Sequence, residues 1–330
     1  MTGKLIQSLA VLGLVMVLQA DPLVAQSTAQ ASTSGSHRLL SIWDSLNSTN
    51  TQASVKRSAE PHPDAVAMKL ARVKTYQFRT VDYPAAFSSA IFDVNKATAV
   101  GLFDITNQNM AFYFQQNSYH SLNVPGSVAS FISGINSTDQ MVGSFDDSTG
   151  VRQGFLYDGT TFTIINPNGS AFTEAEDISD SGVIVGGYAD GSNNLHGFVY
   201  DGGAITTIDY PDSIATSANG INSQGEIVGL YQASDNAVRG FLLSNGVYYS
   251  IAFPLAANTT AQGINDAGAI AGIFRYADKI EHGFIYSRGV FSQVDVAGAT
   301  STELSRIKNN GSIVGSVTDA HGAAHGVIGR

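Results

Sequence analysis

The 330-residue chain has no cysteine, which excludes a disulfide framework and a lipid-bearing cysteine anchor. It is short of basic residues as well. Seventeen Lys and Arg stand against 27 Asp and Glu, a net charge of -10 and a pI near 5.0, which argues against nucleic acid or an anionic membrane as partner. Catalytic signatures are missing too. There is no G-x-S-x-G, no H-E-x-x-H, no P-loop, and no glycine run on a strand-to-helix turn, so the common nucleophile, zinc and nucleotide chemistries have no motif here. No D-x-D-x-D-G run supplies the ordered oxygen ligands of a calcium loop.

What the chain does have is repetition. GINSQGEIVG, Gly220 to Gly229, returns as GINSTDQMVG, DISDSGVIVG, GINDAGAIAG and RIKNNGSIVG, with final glycines at 143, 186, 272 and 315. Each step is 43 residues, and a degenerate copy, FDVNKATAVG, ends at Gly101. A period of roughly 20 to 50 residues signals a solenoid, a propeller or an array. A second signature keeps the same beat: Ala111-Phe112, Gly154-Phe155, Gly197-Phe198, Gly240-Phe241, Gly283-Phe284 and Gly326-Val327. A third, of the ITTIDYPD type, has equivalent positions at Asn123, Asn166, Asp209, Ala252 and Asp295. Its sixth copy stands at the front, in YQFRTVDYPA from Tyr76, with Asp82 in the place of Asp209.

Each repeat reads as four short strands. In the copy from Ala218 to Pro254 they are 218–222, 226–231, 239–243 and 247–253, with Asn245-Gly246 supplying the positive φ of a tight hairpin. Continuous apolar runs such as Phe241-Leu242-Leu243 imply strands covered on both faces, as in a blade wedged between two others. The glycines of the second strand imply close approach of a neighbouring blade or strand, or a bulge. The expected fold is therefore all-β: a six-bladed β-propeller of ~43-residue, four-stranded repeats over 76–330. An open array would expose sheet edges at both ends. Strand 76–84 resolves this by completing the last blade beside Ala323 to Ile328.

The first 25 residues read as a signal peptide, with Lys4, an apolar core and a small residue at Ala25. Gln7 and Ser8 shorten that core to about ten residues, too few for a membrane span. Residues 26–75, rich in Ser, Thr, Ala, Gln and Asn, read as a disordered linker or propeptide, with a short helix possible over Asp64 to Val73.

The three signatures in register, G-I-N-x-x-G-x-I-V-G, then [H/R/Q]-G-F, then T-x-D-x-P, resemble the HAF family of extracellular repeats. The His-Ala-Phe segment survives as His196-Gly197-Phe198, His282-Gly283-Phe284 and His325-Gly326-Val327; Met110, Gln153 and Arg239 depart from it. The resemblance implies a secreted bacterial protein with propeller-like repeats and brings no catalytic residues.

The three histidines fall one per blade, too far apart for one metal, so neither a metal nor a cofactor is expected. Asp146-Asp147, Asp190, Asp235, Asp278 and Asp319 read as ordinary turn residues. The functional candidates are residues that break the repeat where the inner strands begin: Glu174, Glu176, Asp177 and Glu303. Glu174 and Glu303 are three periods apart, on opposite sides of a six-fold ring, so they are expected to face each other across the channel mouth. Two such carboxylates suit acid-base work or ligand binding; Arg306 and Lys308 are near enough in sequence to pair with Glu303. The sequence thus favours a secreted, extracellular or periplasmic, monomeric binding propeller for a protein or glycan. The alternative is a propeller hydrolase or lyase with its carboxylates at the channel mouth.

Overall fold

Among the described residues, 24 strands pair antiparallel in fours, each four forming one blade. The computed structural model describes residues 69–70, 75–105, 108–170 and 172–330. The innermost strands of blades one to six are Ser88–Val94, Ser127–Ile135, Thr173–Ile178, Ala215–Ile221, Asn258–Ile264 and Ser301–Ile307. Each packs on its counterparts in the flanking blades, and the sixth blade packs on the first. Phe78–Thr80 is the outermost strand of the sixth blade, with Phe78 opposite Gly329 and Thr80 opposite Val327. The ring is a closed six-bladed propeller, latched as the sequence implied.

The recurring signatures pack on one another. Gly229 pairs directly with Phe241, and a Cβ added at Gly229 would overlap both the Phe241 ring and the Ser217 carbonyl. The ring lies over the gap that the missing side chain leaves, so Phe198, Phe241 and Phe284 are fully buried above Gly186, Gly229 and Gly272. The close approach comes from the inner strand of the same blade. There the register shifts by one residue in every blade, skipping Phe92, Ser133, Glu176, Asn219, Gln262 and Ser305. Such bulges re-aim the residues beside them.

The asparagine of G-I-N staples blade to blade. Asn222 Oδ1 accepts the Gln224 and Glu226 N–H groups of its own turn, and its Nδ2 donates to Asn265 O of the next blade at 3.2 Å. Asn95, Asn136 and Asn265 do the same toward Asn136, Ser179 and Lys308. Each bond satisfies a buried polar group and also joins two blades, so the motif recurs for a packing reason.

One element departs from expectation. Lys69–Leu70 pairs in parallel with Val290 and Phe291 on the outer edge of the fifth blade, making that sheet five-stranded. An extended segment passing an unpaired edge gains ladder bonds there, whereas a ten-residue helix is marginal alone. The rest of the proposed helix, the signal peptide and nearly all of residues 26–75 lie outside the described residues.

Candidate functional site

Every inner strand reaches the axis at the position held by glycine in G-I-N: Gly134, Gly220 and Gly263 in blades two, four and five. Asp93, Asp177 and Arg306 hold that position in blades one, three and six. A Cβ at Gly134 would crowd Asp177, and one at Gly263 would crowd Arg306. Gly134 and Gly263 therefore make room for charged side chains at the centre of the ring, while Gly220 lets the backbone of the fifth blade approach.

Arg306 spans that centre. Its Nη2 donates to Glu176 O at 2.7 Å and to Ser133 O at 3.3 Å, and its Nη1 to Gln262 O and Ser305 O, both at 2.9 Å. Carbonyls from blades two, three, five and six thus converge on one guanidinium, with Asp177 Oδ2 3.5 Å from its Nε. Asp177 Oδ2 also accepts the Ile221 N–H at 3.0 Å. Lys308 Nζ donates to Asp93 Oδ1 at 2.6 Å, and Asp93 Oδ2 accepts the Ile135 N–H at 3.1 Å. Burial raises the Asp177 carboxyl; the Arg306 charge opposes the shift and Asp93 adds to it. The floor is charge-balanced, two carboxylates against two cations.

Above this floor opens a cavity of about 450 Å³ on the face where the inner strands end. Its walls carry Asn95, Asn136, Ser179, Asn222, Asn265 and Asn309, the amide and hydroxyl groups of the blade-joining turns. Volumes of roughly 300–1,000 Å³ suit a small ligand. With Arg306 across the axis, this pocket has a closed floor.

Of the four sequence candidates only Asp177 lines the cavity. Glu176 is the residue skipped by the third-blade bulge, and its carbonyl holds Arg306. Glu174 and Glu303 do occupy equivalent places in blades three and six, but they are 1% and 3% exposed and sit between blades rather than at an open mouth. Arg152 Nη1 donates to Glu174 Oε1 at 2.8 Å while its Nε donates to Asp146 Oδ1 at 2.6 Å. Burial alone would lower the Arg152 pKa; the two carboxylates hold it above the ordinary value. Opposite, Arg275 pairs with Glu281. Burial and then the Glu281 carboxyl push Glu303 well above the usual carboxylate range, against the pull of Arg275. The expected pairing of Arg306 and Lys308 with Glu303 is replaced by Asp177 and Asp93, because the bulge turns Arg306 to the axis. The sequence signal for these was present: each replaces an element of G-I-N.

The histidines also find their partners. His196 Nδ1 donates to Asp209 Oδ2 at 2.9 Å, His282 Nδ1 to Asp295 Oδ2 at 3.1 Å and His325 Nδ1 to Asp82 Oδ2 at 2.9 Å. The second and third signatures thus meet on adjacent strands. Where histidine gives way to Met110 or Gln153 the partner position holds Asn123 or Asn166, and where it gives way to Arg239 the partner is Ala252 and Asp235 pairs instead at 2.7 Å. These are rim contacts. The turn aspartates behave as expected: Asp147, Asp190 and Asp319 accept backbone N–H groups of their own turns.

No family model matches the chain, and no curated protein matches it. Among solved structures it is similar to TolB from Acinetobacter baumannii at 11% identity, with a TM-score of 0.54, covering 71% of this chain and 64% of that one. It is also similar to AofleA from Arthrobotrys oligospora, at 11% identity and TM-score 0.53 over 80% of this chain and 90% of that one. A weaker likeness, at 13% identity and TM-score 0.45, is to the six-bladed, fucose-recognising lectin of Aleuria aurantia, covering 74% of this chain and 92% of that one. At such identities the likeness shows the fold and nothing finer.

Proposed function

We propose that this chain is a non-catalytic binding propeller of the HAF type, exported as a monomer, whose axial cavity takes a polar ligand such as a glycan. The observation that carries this reading is the closed-floored cavity itself. Its walls mix the amides and hydroxyls of the turns with the isoleucines of the G-I-N motif, and its floor carboxylates are held by Arg306 and Lys308. A carboxylate committed to a cation and a backbone N–H is a poor general base, since its lone pairs are already engaged. The enzyme reading built on Glu174 and Glu303 fits less well, because both are buried at blade interfaces.

The opposite face favours a protein partner in addition. Phe87, Ile105, Val128, Ile214, Leu255 and Ile280 are all exposed in or beside the loops of that face. Leu255 is 96% exposed and has φ 64, where equivalent turns use Gly126, Gly169 and Gly298 or the smaller Ala85 and Asp212. A leucine side chain bare in water gains free energy when a partner removes its apolar surface from solvent.

A glycan and secretome binding screen with the folded region, paired with turnover assays on whatever is retained, tests the reading. Retention of a glycan without turnover, abolished by Ser223→Trp at the cavity rim, is the expected outcome, and a protein held by the opposite face should be retained by wild type and variant alike. Turnover of a retained ligand would overturn it.

A further inference from the structure

The folded region from Tyr76 onward holds ten Lys and Arg against 23 Asp and Glu. Five of those ten cations, Arg79, Lys96, Arg306, Lys308 and Arg330, line the axial cavity. Arg152, Arg239 and Arg275 are tied to carboxylates elsewhere. Asp93, Asp177, Asp180 and Asp266 line it too, so the cavity is close to neutral in a chain whose net charge is -10, which spares an anion there the repulsion of the rest of the surface.

The five divide by role. Arg306 and Lys308 are spent on the floor, neutralising Asp177 and Asp93. Arg79, Lys96 and Arg330 are exposed and form no ion pair among the described residues. They lie along the seam between blades six and one, on the latch strand, the first turn of blade one and the end of the last strand. The rim acids stand across the opening in blades three and five, already engaged: Asp180 accepts the Ser137 N–H at 2.8 Å, and Asp266 accepts the Ser223 N–H at 2.9 Å and the Asn309 amide at 2.6 Å.

Resting on the reading of the cavity as the binding site, we propose that its ligand is an acidic saccharide, whose carboxylate is held by Arg79, Lys96 and Arg330 while its hydroxyls meet the exposed rim residues Ser137, Ser223 and Asn310. Free guanidinium and ammonium donors at a partly enclosed rim make charge-assisted bonds to a carboxylate. The wall asparagines are committed to the blade-joining bonds, so sugar hydroxyls would be met by the exposed hydroxyls and amide of the rim, groups that can both donate and accept.

The test is calorimetric titration of the folded protein with a digalacturonate, the matching neutral digalactoside and free acetate. Three proteins are compared: wild type, Arg79→Ala/Lys96→Ala and Ser223→Trp. Digalacturonate should bind wild type roughly ten- to hundredfold tighter than the neutral sugar, and acetate should bind more weakly than digalacturonate. The double variant should lose that preference while Ser223→Trp loses binding of both sugars. Equal binding of the two sugars, or a preference that survives the double variant, overturns the acidic-ligand inference and leaves the cavity reading intact. Binding that survives Ser223→Trp overturns both. Acetate binding as tight as digalacturonate would show a bare anion site and likewise overturn the saccharide assignment.

Discussion

Replacing Glu303 with Gln should flatten the fall of stability with rising pH above about pH 5. Glu303 is buried between blades five and six beside Glu281, and its proton is retained well above the ordinary value for burial first and Glu281 second. A carboxyl whose folded pKa is raised binds its proton more tightly folded than unfolded. Its stabilising contribution is therefore complete below the unfolded value, about 4.3, and is lost as pH rises through the folded value. Within that window one unbalanced proton gives a slope of at most about 1.4 kcal/mol per pH unit, or roughly 3–5 °C in Tm for a domain of this size. Gln cannot ionise, and its amide N–H can donate to Glu281 as the protonated acid does. Thermal melts at half-unit steps from pH 5 to 8 should show the variant matching wild type at the acid end and exceeding it at the neutral end. Parallel curves for the two proteins would refute the buried-proton account.

Arg306→Ala should lower stability by about 3–5 kcal/mol in urea titration, because it strands a buried Asp177 and the carbonyls of four blades. The double change Asp177→Gly/Arg306→Gly, which restores the repeat's own residue twice, should lose less than Arg306→Ala; a larger loss contradicts the idea. Deleting residues 76–84 unpairs the last blade and should abolish the single sharp melting transition, so an unchanged melt sinks the latch. Gly229→Ala drives a methyl into the Ser217 carbonyl and the Phe241 ring and should cost about 3 kcal/mol, the upper part of the range for overpacking; a stability within 0.5 kcal/mol (about the scatter of a neutral surface change) would be inconsistent. For His325, burial lowers the pKa but the Asp82 and Asp319 carboxylates outweigh it, leaving it raised. The resulting stability is complete below about 6.5 and is lost as pH rises through the folded value. Asp82→Ala should move the His325 titration downward by NMR, and an unmoved titration would count against the pairing.

The repeat alone determined the number of blades, the four strands in each and the latch. Those features follow from local demands that recur every 43 residues: a glycine under an aromatic ring, a hairpin turn, an apolar run covered on both faces. Even the His-Asp pairs were legible, since Asp82, Asp209 and Asp295 occur where the partner signature carries histidine. The candidate site was legible only in outline. Breaking the repeat marked Glu174, Glu176, Asp177 and Glu303, but a one-residue bulge in each inner strand sets which of them the axis receives. Glu174 and Glu303 went into the walls between blades; Asp93, Asp177, Arg306 and Lys308, up to 215 residues apart, met at the centre. A bulge reverses which way a strand's side chains face, and ring closure brings six distant positions together. Neither is written in the local spacing of residues, so tertiary structure decided where the cavity lies and which of the charges that break the repeat line it.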